Sequence, residues 1–353
     1  MRSPGGARSL CWVATAGLLF SRAALAQPVA NLTLDTQELA ASVTYDLISK
    51  APTDCVLQPA DRCVDAPGAR KLLRFSVFAI NNGTADVFFG PPNLDAKLPN
   101  GDPLFVYSAC HMHYHFETFG RYELRMRGGT TPVKEGQKRS FCVEDTRPAP
   151  GATARTCTTD DDCAGSGRCS QQQIPHVCRY DCTYQGIQVG WGDLYPSTLD
   201  CQWIDVSDVA PGDYDVCVFL NTAHLIPESN YDDDSGCAPV TIDGPSTAHP
   251  APAVRVRVPR HKTKARVGRS LTIAWQKHIR GGVKHIKVQE LWFSPDGGTS
   301  YQFIAGALAP GRHSYRWAVP SGSATDAAMI RVIVWSTDLQ RGIGLSVPFR
   351  IAP

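Results

Sequence analysis

The 353 residues carry 35 Lys and Arg against 33 Asp and Glu, a formal net charge of +2, with 43% hydrophobic residues. That length gives room for two domains, the hydrophobic share is ordinary for a globular protein, and no run after residue 26 is long and apolar enough for a transmembrane helix. The small net charge hides a division: residues 27–245 hold 16 basic and 29 acidic residues, a formal −13, whereas 246–353 hold 16 basic and 4 acidic, a formal +12.

Residues 1–26 read as a secretory signal peptide. Arg2 and Arg8 form its basic start, 10–20 its short apolar run, and Ala24-Leu-Ala26 its small-residue cleavage site. The chain is therefore expected to be secreted or extracytoplasmic. One of the 13 cysteines, Cys11, lies in that segment; the remaining twelve fall between Cys55 and Cys237. An even set in an exported chain implies disulfides, whose connectivity spacing cannot supply.

Residues 27–245 read as mostly β, with no helical period. Residues 72–80 form a strand that ends at the turn Asn81-Asn-Gly-Thr84, and 86–89 resume it. The stretch 116–126 alternates, with Tyr122, Leu124 and Met126 on one face and Arg121, Glu123 and Arg125 on the other. Residues 137–143 read as a strand with Lys138, Ser140 and Cys142 on one face; 203–206 and 214–220 flank the turn Ala210-Pro-Gly-Asp213. The polar, cysteine-dense passage at about 157–178 reads as a disulfide-stapled insertion. A Pro/Ala/Ser-rich linker occupies 246–252. Beyond it seven strand-like runs, 254–258, 270–275, 285–293, 301–307, 314–319, 329–335 and 345–351, are spaced by turn signals. The expectation is all-β: a β-sandwich domain with long stapled loops, then a basic immunoglobulin-like β-sandwich at 253–353.

The chemistry concentrates in Cys110-His-Met-His-Tyr-His115. On a strand His111, His113 and His115 would project together, about 7 Å apart. Three imidazoles with an open coordination position suit copper, zinc, iron or nickel, and make a catalytic pattern rather than a sealed structural one.

Several stretches, in order, resemble the lysyl oxidase family of copper- and quinone-dependent amine oxidases. They are Leu72-Leu-Arg-Phe75 with Asn82-Gly-Thr84, the histidine motif, Glu135-Gly-Gln-Lys-Arg-Ser-Phe-Cys142, Asp193-Leu-Tyr195 with Asp200-Cys-Gln-Trp203, and Pro211-Gly-Asp-Tyr214 with Ile226-Pro-Glu-Ser-Asn-Tyr231. The resemblance covers most of residues 50–240 and makes 27–245 the catalytic domain. It implies copper at His111, His113 and His115, and a lysine tyrosylquinone made from Lys138 and Tyr195. It implies oxidation of primary amines, peptidyl lysine of extracellular proteins or small amines, by dioxygen, giving an aldehyde, ammonia and hydrogen peroxide. It also implies the disulfides Cys55–Cys63 and Cys110–Cys182.

The chain departs from the family in places. Ser108 and Arg121 stand where animal members carry further histidines. Trp191 replaces a cysteine, which leaves Cys201 without its usual partner. Glu117, Asp145 and Asp193 are the carboxylates close in sequence to the motifs, and the sequence does not rank them as catalytic base. Two other readings stand beside the oxidase: a non-enzymatic extracellular copper-binding or envelope-binding protein on the same fold, against which the presence of both Lys138 and Tyr195 speaks, and a zinc hydrolase, against which the lack of a His-Asp or Glu partner motif speaks. The basic C-terminal domain is expected to meet an anionic surface polymer, the alternatives being a merely solvated face or electrostatic attraction between the two domains.

Overall fold

The computed structural model describes residues 27–59, 61–138, 140–247 and 249–353. The segment 1–26 expected as a signal peptide, with Cys11, lies outside the described residues. The chain is nearly all β, and among the described residues no helix is long and apolar enough to cross a membrane. One short α-helix, Thr36–Ser42, breaks the pattern. Asp35 caps it by accepting from the N–H groups of Gln37 and Glu38, and Leu39 anchors it. Two turns are too few to show a helical period, so only the cap marked it in sequence.

In residues 27–245 three larger sheets, with three two-stranded ones, surround one core. The first runs Leu32–Leu34, Val77–Asn81, Trp191–Tyr195, Arg147–Pro148; the second Ser235–Ile242, Gly212–Leu220, Gly120–Met126, Pro132–Glu135; the third Trp203–Asp205, Gly68–Arg74, Thr44–Lys50. Alternation drives the second sheet. Tyr122 and Leu124 stand opposite Val218 and Val216, and all four are buried.

The strand expected at 72–80 is two strands in two sheets. Phe75 and Ser76 form the corner between them. There Ser76 N–H donates to the Ser42 hydroxyl, and the Ser76 hydroxyl accepts from Ser197 N–H, so side chains replace the ladder. Among the described residues no strand forms at 137–143. The paired strand is Pro132–Glu135, and in 137–143 only Phe141 bridges, to Phe116. Glu123, expected outward, is buried between Arg121 and Arg125, while Met126, expected inward, is exposed.

The insertion at 157–178 is stapled as expected, by Cys157–Cys169 and Cys163–Cys178. The other disulfides are Cys55–Cys110, Cys63–Cys201, Cys142–Cys182 and Cys217–Cys237. This corrects the pairings Cys55–Cys63 and Cys110–Cys182. Cys55 and Cys63 bound a loop whose two ends face different segments, and each reaches across instead of to its neighbour, at Cα–Cα separations of 5.2 and 5.4 Å. Cys201 thereby finds its partner in Cys63.

Beyond residue 252 two sheets face each other across a second core. One orders Ala265–Arg266, Phe349–Ala352, Thr325–Ser336, Ile286–Ser294, Gln302–Ala305, with Arg341–Leu345 also on Thr325–Ser336. The other orders Ala253–Val258, Ser270–His278, Ser314–Ala318. Leu271, Ile273 and Trp275 from the second meet Leu291, Phe293, Ile330 and Val332 from the first. The two bodies join where Ile286–Ser294 lies against Thr44–Lys50 and Gly68–Arg74. Buried Glu290 accepts from the Ser49 hydroxyl at 2.6 Å, and Lys287 pairs with Asp46 at 3.0 Å. Gly68, at φ +96°, lies under Trp292, whose ring would be 2.6 Å from an added Cβ.

Candidate metal centre and lysine–tyrosine pair

The histidines are built from a turn and a strand rather than from one strand. Strand His113–Phe116 pairs antiparallel with Phe105–Ser108, which sets His113 and His115 on one face. His111 precedes the strand, in a tight turn where Met112 has φ +61°. The turn folds the His111 ring back over its fellows. Ring centroids lie 5.8 Å (His111–His113), 5.1 Å (His111–His115) and 5.0 Å (His113–His115) apart, and one nitrogen from each falls within 4.8 Å of the others.

The turn is pinned from outside. The Asp61 carboxylate accepts from the N–H groups of Ala109 at 2.7 Å and Cys110 at 3.2 Å, and from the Ser108 hydroxyl. Cys55–Cys110 ties the same turn to the loop that carries Asp61. Ser108 is thus a buried clasp. Arg121 pairs with Glu123 and stacks on Phe219 at 4.6 Å. Both positions that depart from the animal pattern are occupied structurally.

His111 Nε2 lies 3.2 Å from the Asp200 carbonyl, which can only accept, so Nε2 carries the proton and Nδ1 keeps its lone pair. His115 Nδ1 meets the Ser140 hydroxyl at 3.3 Å. Burial, reinforced by the nearby Lys138 charge, pushes His111 down to about 4 and His115 to about 2, and lowers His113 as well. All three are neutral imidazoles at neutral pH, the form a metal needs, and they fit a metal of the imidazole-binding class.

Lys138 is buried beside them. Its Nζ lies 4.8 Å from the Phe141 ring centroid and 5.9 Å from that of Tyr195. Burial lowers it to about 8, against the opposing charges of Asp61, Asp193 and Asp200. Its proton is therefore held less tightly than an ordinary lysine's, with a minor neutral fraction near neutral pH that grows as pH rises through 8. The Tyr195 ring packs edge-on to Phe141 at 4.5 Å. Its hydroxyl lies 2.7 Å from the Cys142 carbonyl and also touches the Asp193 carboxyl. The carbonyl can only accept the tyrosine proton. Asp193 is fully buried, and that burial and Glu144 raise it well above the carboxylate range; its Oδ2 also accepts from Glu144 N–H at 3.0 Å. The other Asp193 oxygen, Oδ1, is buried without a hydrogen-bond partner.

A cavity of about 150 Å³ opens onto this cluster, lined by His111, His115, Lys138, Glu117 and Asp61. Of the three carboxylates near the motifs, Glu117 lines the cavity and Asp193 holds Tyr195. Asp145 is elsewhere: it accepts from Tyr180 N–H and from both the backbone and side-chain N–H of Gln188, fastening a loop, and burial raises it to about 7. Asp61, Ser140 and Asp200 escaped the sequence reading. The cysteines bounding the loop of Asp61, and Cys201 beside Asp200, were the available signals.

The lysyl oxidase family model matches residues 35–172 and 148–248. Lysyl oxidase homolog 2 of Xenopus laevis is 38% identical over 178 residues, covering 50% of this chain and 19% of that protein. Lysyl oxidase homolog 3B of Danio rerio is 36% identical over 199 residues, 56% of this chain and 21% of that protein. The chain thus spans about a fifth of the length of these relatives. A solved structure of fibronectin(III)-like modules of Clostridium thermocellum CbhA covers 28% of this chain and 99% of its own at 17% identity and a TM-score of 0.20, too slight a likeness to assign a fold. The family match takes in more than half of the chain, with the histidine cluster, Lys138 and Tyr195 all inside it, and the chain belongs to the lysyl oxidase family.

Proposed function

We propose that the protein is an extracytoplasmic copper-dependent amine oxidase, which converts primary amines, lysine side chains of extracellular proteins or small amines, to aldehydes with release of ammonia and hydrogen peroxide. In this reading His111, His113 and His115 hold the copper, and Lys138 and Tyr195 become a lysine tyrosylquinone. Copper would supply redox chemistry with dioxygen and the quinone an electron-accepting carbonyl, neither of which ordinary side chains offer. The 27–245 body is then the catalytic domain and 253–353 an immunoglobulin-like module outside the chemistry.

The observation that carries the reading is Lys138, buried beside the Tyr195 ring and in the wall of a cavity that His111 and His115 also line. The chain's residues then have definite tasks. Lys138 presents toward the ring an amine that loses its proton more readily than an ordinary lysine. The Cys142 carbonyl and Asp193 fix the ring's rotation through its hydroxyl. Asp193 meets Tyr195 Oη, and Glu117 places a carboxylate at the cavity wall. The acidic balance of this region favours approach of protonated amines. A family member that binds copper without the cross-link would keep the histidines and lack the covalent bond.

Copper-loaded protein is expected to give peroxide from a panel of primary amines, and peptide mass mapping to find Lys138 joined to Tyr195. Lys138→Ala should keep copper and lose both the quinone absorbance and peroxide. Copper bound without peroxide or cross-link would overturn the oxidase in favour of a binding protein.

A further inference from the structure

Three arginines of the C-terminal body stand on the outer face of its three-stranded sheet, and that face points away from the acidic body. In strand Ser270–His278 the core takes Leu271, Ile273 and Trp275, so Thr272, Ala274, Gln276 and His278 point outward. Register places Arg255 opposite Gln276 and Arg316 opposite Thr272. After the bulge in Ala253–Val258, Arg257 also turns to this side, where its guanidinium donates to the Gln276 carbonyl at 2.8 Å. The sheet centre is small: Ala253, Ala274 and Ser314 floor a shallow groove of about 860 Å³, beside Arg255, His278 and His313.

None of the three strands of this sheet contains Asp or Glu. Among the described residues no carboxylate lies within ion-pair distance of Arg255, Arg257, Lys277 or Arg316. The joint to the acidic body is made instead through Lys287, Glu290 and Trp292 of the opposite sheet. The acidic body therefore does not neutralise this face. A cationic groove without carboxylates attracts anions at long range and retains them by releasing counterions. Neighbouring arginines on one strand stand about 7 Å apart, and arginines two strands apart about 10 Å. That is a two-dimensional array suited to repeated anionic groups rather than to one ion. Stacking platforms for bases are missing, because Trp275 and Trp317 both point into the core.

We propose that the outer face of the three-stranded sheet is a docking site for an anionic polysaccharide, a linear polymer of the extracytoplasmic space bearing regularly spaced carboxylate or sulfate groups. Arg255, Arg257 and Arg316 are its principal contacts and the Ala253–Ala274–Ser314 floor lets the chain lie flat. The inference does not depend on the oxidase reading, since binding is read without turnover.

The test uses the full chain and three probes at 0.1 M salt: alginate, dextran sulfate and duplex DNA. Wild type is expected to bind at least one polysaccharide with a strong salt dependence. The triple variant R255Q/R257Q/R316Q should lose about tenfold or more in affinity. The matched triple K284Q/R341Q/R350Q, on the other side of the same body, removes the same charge and should lose no more than about threefold. Equal losses in both triples would show that only net charge matters and would overturn the site. Failure of wild type to bind either polysaccharide, or tighter binding of DNA than of both, would overturn the assigned partner.

Discussion

Residues 27–245 carry twelve cysteines, −13 formal charges and many strands of two to five residues, whereas 246–353 carry no cysteine, +12 charges, and strands of nine and twelve residues at Ser270–His278, Ile286–Ser294 and Thr325–Ser336. Long paired strands order the second body by themselves, because each residue fixed adds ladder bonds and core contact together. The first body devotes much of its chain to loops, and loops must be fastened. Its disulfides attach the segments that carry Asp61, the histidine turn, Asp200 and Lys138, so the staples lie around the chemistry.

Reduction should break this symmetry most. In the chain-entropy picture a cross-link spanning 138 residues, such as Cys63–Cys201, is worth about 5 kcal/mol, comparable with a domain's whole stability. Under reductant, hydrogen exchange should show Gly212–Leu220 losing protection while Ile286–Ser294 and Thr325–Ser336 retain it. Simultaneous loss would mean that the two bodies unfold as one unit.

The converse comes from the second core. Leu291 is fully buried there, and Leu291→Ala should cost about 2–5 kcal/mol. Calorimetry should show the C-terminal transition falling while the copper binding proposed for the histidine cluster is unchanged. Lost copper binding would mean that the joint transmits the damage.

The same division governs what could be read in sequence. All seven runs expected in the second body contain strands, because a half-buried strand in a long sheet alternates visibly; the last run proved to be parts of two, Arg341–Leu345 and Phe349–Ala352. In the first body the histidine cluster was legible as a group, but the turn at Met112 that brings His111 into it was not, since a left-handed residue other than Gly or Asn leaves no mark. The 72–80 corner was invisible for a related reason: Leu72 and Leu73 before it and Val77, Phe78, Ala79 and Ile80 after it are all buried, so neither flank alternates in a way that would show a break. Lys138 and Tyr195 are 57 positions apart, and only resemblance joined them before the fold did. Disulfide partners depend on where loops land in space, and there resemblance itself misled.

A smaller effect distinguishes the buried lysine of the first body. Its amine sits at about 8 in the fold, against about 10.4 for an ordinary lysine. Between those values the unfolded chain holds a proton that the folded chain has released. Stability therefore rises with pH across this window, and Lys138 opposes folding below it. In metal-free protein, competitive acetylation of Lys138 followed by mass spectrometry should show a rate midpoint near 8, and Lys138→Met should flatten the stability rise from 8 to 10. A midpoint near 10 would mean that water reaches the amine.

The smallest effect concerns what joins the two bodies. Opposite charges of −13 and +12 invite an electrostatic account, but only Lys287–Asp46 spans the joint as an ion pair among the described residues. Its side chains are 44% and 30% exposed, so water and salt screen it, and such pairs are worth about 0.2–1 kcal/mol. Trp292 over Gly68, and Glu290 buried against Ser49, are contacts that salt does not screen. Lys287→Ala should therefore change the coupling between the two calorimetric transitions by less than about 1 kcal/mol, and 0.5 M salt should do no more. Small-angle scattering should give the same radius of gyration at low and high salt. Separation of the bodies by salt alone would make net charge the cement, and would leave the arginine face of the outer sheet competing with the acidic body for its ligand.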